Sequence, residues 1–479
     1  MRTLHYMFGP ALWVIALSMP CAWAQEKSQD QPIPAYRSPL ASAANEGDTE
    51  EAGPQKLAPD DRPLAGAQDL SVGVPSTNHS YWEPHVDLSG SFYSNPPIAG
   101  THSGWTNWTN VFGGFDLHRN SGNSALTLSY LGGGAFSNST SQGSGIVQDL
   151  NFADTITFRR ASVSFFDQLS YSPESNFGSS GFGGIPLPPI GTPGLGSSFI
   201  PNQGILTTFG QRVTNSFLTQ VNFSLTPRSS LTVVSGYNLL HFFDSTNFDY
   251  GNVIFQGGYN YRISRTDTIA VSYQYSGFSY DNANQSINTH TVQGSYGRQI
   301  TGQLAFQISA GPQISTFTIP ITGTSGNTGG TSPSPSTEVH WSLYSSLQYQ
   351  LGRTGLTASY SHGVTGGSGV LAGALTDIIS GSAFRQLSRT FSGSWNLGYS
   401  RNNGLAVNGA ANANQTYNYW ITGATLNHSW GRSLNMFMSY QLQYQNSNSS
   451  FCVRTTCSTS YVGNIISFGI GWHRQPIPF

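Results

Sequence analysis

The chain has 479 residues, a formal net charge of −2 and only 9 % charged residues, against roughly 25 % in a soluble globular domain. Apolar residues reach 37 %, so a large dry core does not account for the missing charge; 55 glycines, neutral polar residues and 13 % aromatics fill the gap. The balance excludes a basic nucleic-acid-binding surface and suits a wall with one face in lipid and the other in water.

Arg2 opens a short basic region, and Ala11-Leu12-Trp13-Val14-Ile15-Ala16-Leu17 forms an apolar run that Pro20 breaks. Ala22-Trp23-Ala24 then places small residues before Gln25. Residues 1–24 therefore read as a secretory signal peptide, since the run is shorter than the ~20 residues of a helical span. Pro20 argues against a lipoprotein signal at Cys21. Residues 25–80 are rich in Pro, Ala, Gln and acids and lack periodicity; a disordered periplasmic tail is expected, too short and too poor in apolar residues to fold as a plug domain.

From about residue 85 the pattern becomes period-2 alternation, the mark of strands with two unlike faces. In 252–263, Val253, Phe255, Tyr259, Tyr261 and Ile263 oppose Asn252, Gln256, Asn260 and Arg262. In 434–445, Leu434, Met436, Met438, Tyr440, Leu442 and Tyr444 oppose Asn435, Ser439, Gln441, Gln443 and Gln445. Segments 231–240 and 304–313 repeat this, and each run is about the length a tilted strand needs to cross a bilayer.

Short connections alternate with long ones. The short ones repeat an Arg beside Ser, Thr or Gly (Arg228, Arg265, Arg353, Arg389 and Arg432), which is ordinary turn chemistry. The longest of the others is 172–212, the third on the predicted outer side, with Pro186, Pro188, Pro189 and Pro193. Counting predicts about 18 strands (16–18) over 81–479. The fold class is all-β: a closed antiparallel up-and-down transmembrane β-barrel, because an open sheet edge in hydrocarbon would leave backbone groups unpaired.

The signal peptide, the alternating strands, the turn–loop asymmetry and the terminal aromatic Phe479 together resemble the Gram-negative outer-membrane β-barrel superfamily, porin-like in size, over about 85–479. The resemblance implies outer-membrane lipid and the barrel-assembly machinery as partners, the latter reading the last strand through Phe468, Ile470, Trp472 and Phe479. Here Gln475-Pro476-Ile477-Pro478 intervenes, and proline cannot donate to a sheet ladder. The tail and short turns are expected in the periplasm and the long loops outside. The resemblance leaves oligomeric state open, porin-like barrels often being trimers.

Three functions are weighed. A passive, porin-like channel for small neutral or weakly selected solutes would be lined by Gln220, Asn222, Asn238, Gln256, Asn260, Arg262, Gln274, Gln293, Gln307, Ser342, Gln348, Asn396, Gln441 and Gln443. Arg262 is the clearest charge expected there, and 172–212 is a candidate for folding inward. The alternative is a surface adhesin or structural envelope protein without transport activity. An enzyme is disfavoured, because His290 near Asp281 and His241 near Asp244 come with no nucleophile motif. No cofactor or metal motif occurs; Cys452 and Cys457 suit a small loop disulfide in an exported protein.

Overall fold

The computed structural model describes residues 63–66, 80–94, 105–137, 145–172, 211–243, 248–281, 285–319, 334–367, 371–405, 415–453 and 456–479. The loop 172–212 lies, beyond Ser172 and before Gln211, outside the described residues, as do the signal-peptide residues and most of the tail.

Eighteen strands, β1 (Tyr81–Ser94) to β18 (Thr456–His473), each pair antiparallel with the next in sequence. β1 also pairs with β18, from His85↔His473 to Ser94↔Asn464, so the sheet closes on itself. A short β19 (Ile477–Pro478) follows. Residues 354–386 hold two full strands, β13 (Thr354–Thr365) and β14 (Ala374–Gln386). Residues 446–460 largely continue β17 (Leu434–Val453) and β18 past an irregularity between Asn446 and Phe451, and the backbone register sets Cys452 opposite Cys457.

The alternation read from sequence is the alternation of the wall. On β8 (Tyr250–Arg262), Val253, Phe255 and Tyr259 point outward and are exposed, whereas Asn252 and Asn260 point inward and are buried. On β17, Met438 and Tyr440 are outward and exposed, and Ser439, Gln443 and Gln445 inward and buried. Exposed apolar side chains of this kind recur on strands around the barrel. A water-soluble surface rarely carries so large an apolar expanse; a lipid-facing belt requires it.

The seam is tied on both faces. Ser91 and Ser467 share a hydroxyl hydrogen bond (2.8 Å) inside, while Asn464 donates its backbone and side-chain N–H groups to Ser94 Oγ (3.0 Å each). Outside, Phe92 stacks on Phe468. The C-terminal prolines interrupt the last strand without ending its pairing: Arg474 N–H reaches Pro84 O (3.0 Å), and β19 rejoins β1 through Trp82↔Ile477 and Tyr81↔Pro478. Phe479 stands beyond it, exposed.

The rim at the short turns has its own polar chemistry. Between β8 and β9 (Asp267–Tyr280), Ser264 Oγ accepts from the N–H groups of Thr266 and Asp267 and donates to Asp267 Oδ2 (2.6 Å). Thr266 Oγ1 and Tyr296 OH also donate to that carboxylate (3.0 and 2.7 Å). These donors, with Arg298 nearby, hold the Asp267 carboxyl down at about 2.

Candidate functional site

A pleated strand sends alternate side chains to one face, so each inward position follows from the register. Gln220 and Asn222 on β6 (Arg212–Thr226), Asn238 on β7 (Ser229–Phe242) and Gln256, Asn260 and Arg262 on β8 face inward. So do Gln274 on β9, Gln293 on β10 (Gln285–Thr301), Gln307 on β11 (Leu304–Ile319), and Ser342 and Gln348 on β12 (Ser334–Leu351). Asn396 on β15 (Phe391–Gly404) and Gln441 and Gln443 on β17 complete the set.

Cross-strand bonds order this wall. Ser216 Oγ donates to Asn238 Oδ1 (2.6 Å), Ser276 Oγ to Asn252 Oδ1 (2.8 Å) and Asn260 Nδ2 to Thr232 Oγ1 (3.0 Å). Gln293 Nε2 spans from β10 over β11 to Ser342 Oγ on β12 (2.8 Å). Other capacity is unspent: the Nδ2 atoms of Asn238 and Asn252 and both side-chain polar atoms of Gln443 and Gln445 are buried without a hydrogen-bond partner among the described residues.

The wall is more charged than the sequence suggested. Beside the seam, β1 directs Glu83, His85 and Asp87 inward, and β2 (Trp105–Ser121) directs Asp116 and His118. Ser129 Oγ donates to Asp116 Oδ1 (2.5 Å), His85 Nδ1 lies 3.6 Å from Asp116 Oδ2, and His473 Nδ1 meets Glu83 Oε1 at 2.8 Å. Asp149 faces inward from β4 (Gly145–Thr157) and Arg212 from β6. Among the described residues no cluster is arranged to hold a metal ion. The signal missed was alternation in His85-Val86-Asp87-Leu88 and Asp116-Leu117-His118, where acids and histidines occupy the polar phase of a strand.

The end opposite the short turns is narrowed by apolar packing. Leu240, Phe242, Tyr250, Phe278, Tyr280, Ile287 and Phe317, at the ends of β7 to β11, form one buried cluster with Val364 and Leu405. The β13–β14 connection folds over it: Tyr280 OH donates to Gly366 O (2.9 Å), Gln285 Nε2 to Ala372 O (3.2 Å) and Val364 N–H to Gln313 Oε1 (2.9 Å). Gly367 and Gly373 have φ of 90° and 85°, and a Cβ at either would overlap neighbouring atoms, so the inward bend needs glycine at both. This connection had no assigned role in the sequence reading. Its signals were the apolar Val370 and Leu371 among glycines, and a phase switch on β9, where Tyr273 and Tyr275 face out but Phe278 and Tyr280 face in.

At the turn-bearing end a short piece of the predicted tail, Pro63–Gly66, is seated on the inner wall. It forms a turn closed by Gly66 N–H to Pro63 O (2.9 Å), with Leu64 and Ala65 buried beside Ala270.

Each rim histidine has a polar partner. His241 Nδ1 lies 2.7 Å from Asp249 Oδ2, Asp244 being outside the described residues, and His290 Nδ1 lies 2.8 Å from Tyr273 OH and not on Asp281. A third, His362, stacks on Trp341 (4.0 Å between ring centroids) and meets Asp377 Oδ1 at 2.7 Å. Asp377 also accepts from Tyr360 OH (2.8 Å). All three histidines occupy the outward phase of their strands, so they are separate from the lumen.

No family model matches the chain, and no curated protein does. Among solved structures it is similar to outer membrane protein OpdK from Pseudomonas aeruginosa, with a TM-score of 0.36 and 9 % identity over 82 % of this chain and 98 % of that one. It is likewise similar to OccAB1 from Acinetobacter baumannii, with a TM-score of 0.39 and 9 % identity over 86 % of this chain and 100 % of that one.

Proposed function

We propose that the protein is a passive, porin-like channel of the outer membrane for small neutral or weakly selected solutes, with its short turns in the periplasm and its long loops outside. The observation that carries this reading is the inner face of the barrel, which strand after strand lines with amides and hydroxyls. Neutral amides substitute for water around a polar solute without favouring either sign of charge. The barrel supplies the path, and the apolar cluster with the β13–β14 connection narrows its outer end.

Reconstitution in planar bilayers tests it. Discrete conductance steps are expected, together with uptake of small neutral polyols into liposomes. Silence from a sample whose unheated gel mobility shows a folded barrel would sink the channel and leave the adhesin or structural reading.

Two attributes go with the proposal. The opposed Cys452 and Cys457 form a disulfide in the exported protein, and the barrel-assembly machinery reads β18 through its outward Phe468, Ile470 and Trp472. The exposed Phe479 adds to that signal from beyond β19.

A further inference from the structure

We propose that Pro63–Gly66 is an internal plug, a turn of the chain's own N-terminal region that occupies a peptide-binding recess in the lumen and restricts the conducting path until it is displaced. The inference rests on the channel reading.

The recess is built on the inward face of three neighbouring strands. Asn260 Oδ1 accepts from the Ala65 N–H (2.8 Å), and Gln256 Nε2 donates to the Ala65 carbonyl (2.9 Å). One strand thus grips both polar groups of one residue, as a sheet grips a peptide, through side chains four positions apart. The grip is prepositioned, because Asn260 Nδ2 is held by Thr232 Oγ1 (3.0 Å), which turns Oδ1 toward the plug. Gly258 on β8 and Gly297 on β10 leave the space the turn fills. A Cβ at 258 would collide with Ala65, and one at 297 would stand 3.1 Å from a δ-carbon of Leu64. Ala270 on β9 closes the apolar side, where Ala65 is 0 % exposed and Leu64 7 %.

A random brush of a polar tail against a wall does not bury a leucine and an alanine while satisfying both backbone groups of the same residue. The occupant is recognised as a short apolar turn, chiefly through its backbone. Fourteen residues separate Gly66 from Tyr81, and a stretch of that length reaches about 46–50 Å when extended, enough for the turn to leave through the periplasmic mouth without disturbing β1.

The test pairs a docking readout with a transport readout in the folded full-length barrel. For docking, Leu64→Cys with Gly297→Cys, in a Cys452→Ser, Cys457→Ser background, is oxidised mildly and read by gel mobility; a crosslink is expected. For transport, Ala65→Asp, which puts a charge against Ala270, and Asn260→Ala are compared with wild type in planar bilayers. Severalfold larger conductance steps are expected from both, and wild-type or smaller steps from the crosslinked form. Absence of the crosslink overturns the docking. A crosslink with wild-type steps in both release variants overturns the plug and leaves the channel standing. A crosslink with no conductance in any folded form overturns the channel reading, and the plug with it. The unheated gel mobility of Ala65→Asp and Asn260→Ala checks that the barrel has closed.

Discussion

Asp267 shows how much of this molecule is decided by single donors. Three hydroxyl groups converge on its carboxylate at the turn-bearing rim, and they favour the charged form. Its pKa in the folded protein, about 2, lies below the usual 3.8, so the folded state binds a proton there less readily than the unfolded one. Any stabilisation it gives is complete above pH 3.8 and is lost as the pH falls toward 2. The melting difference between wild type and Asp267→Asn in detergent is therefore expected to stay constant from pH 7 to about 4 and to shrink below that. A difference that vanished already near pH 5 would contradict this. The residue scale is also where sequence reading was weakest: His241, His290 and their partners were matched by proximity in the chain, whereas the register pairs His290 with Tyr275 and places His362 opposite Asp377.

For single strands the sequence was far more legible, because a period of two has only two phases and lipid tolerates only one of them outside. The alternation in 252–263 and 434–445 therefore determined which side chains of β8 and β17 share a face. Phe255 tests the rule: it lies near the middle of β8, outward and 47 % exposed. Phe255→Arg is expected to cost about 2–4 kcal/mol, as basic residues do at the bilayer midplane, seen as a lowered midpoint in denaturant. Gln441→Arg, on the inward phase of β17, is expected to leave that midpoint nearly unchanged and to alter ion selectivity instead. Equal losses from the two would mean that the faces are not lipid and lumen. The β13–β14 connection escaped the rule because it is no strand: its place depends on Gly367 and Gly373 and on side chains from β9, β10 and β11 that no local pattern links to it.

Across the whole molecule, the closed barrel was legible because it follows from repeated local alternation and the physics of unpaired edges. The contents of the barrel were not, since they depend on which distant inward residues meet. Glu83, His85, Asp87, Asp116 and His118 share the β1–β2 hairpin, and His473 joins them from β18 only when the seam closes. This cluster makes the seam side the acidic and histidine-rich side of the lumen. Asp87→Asn combined with Asp116→Asn is expected to lower the permeability of potassium relative to chloride, read as a shift in reversal potential under a salt gradient in alkaline buffer, at about pH 9. An unchanged potential in a conducting sample would show that the current bypasses this side of the lumen.

That seam also dictates an order of events. Ser94 and Asn464, bonded across it, are 370 positions apart, and closing such a loop costs roughly 4 kcal/mol more than closing a hairpin turn. The neighbour-to-neighbour hairpins thus form early and the β1–β18 pairing late. A chain interrupted before β18 carries two raw strand edges, whose bare N–H and C=O groups hydrocarbon does not accommodate. Closure acts as a proofreading step: β18 must pair with β1, and a copy that lacks either strand has no stable place in the bilayer.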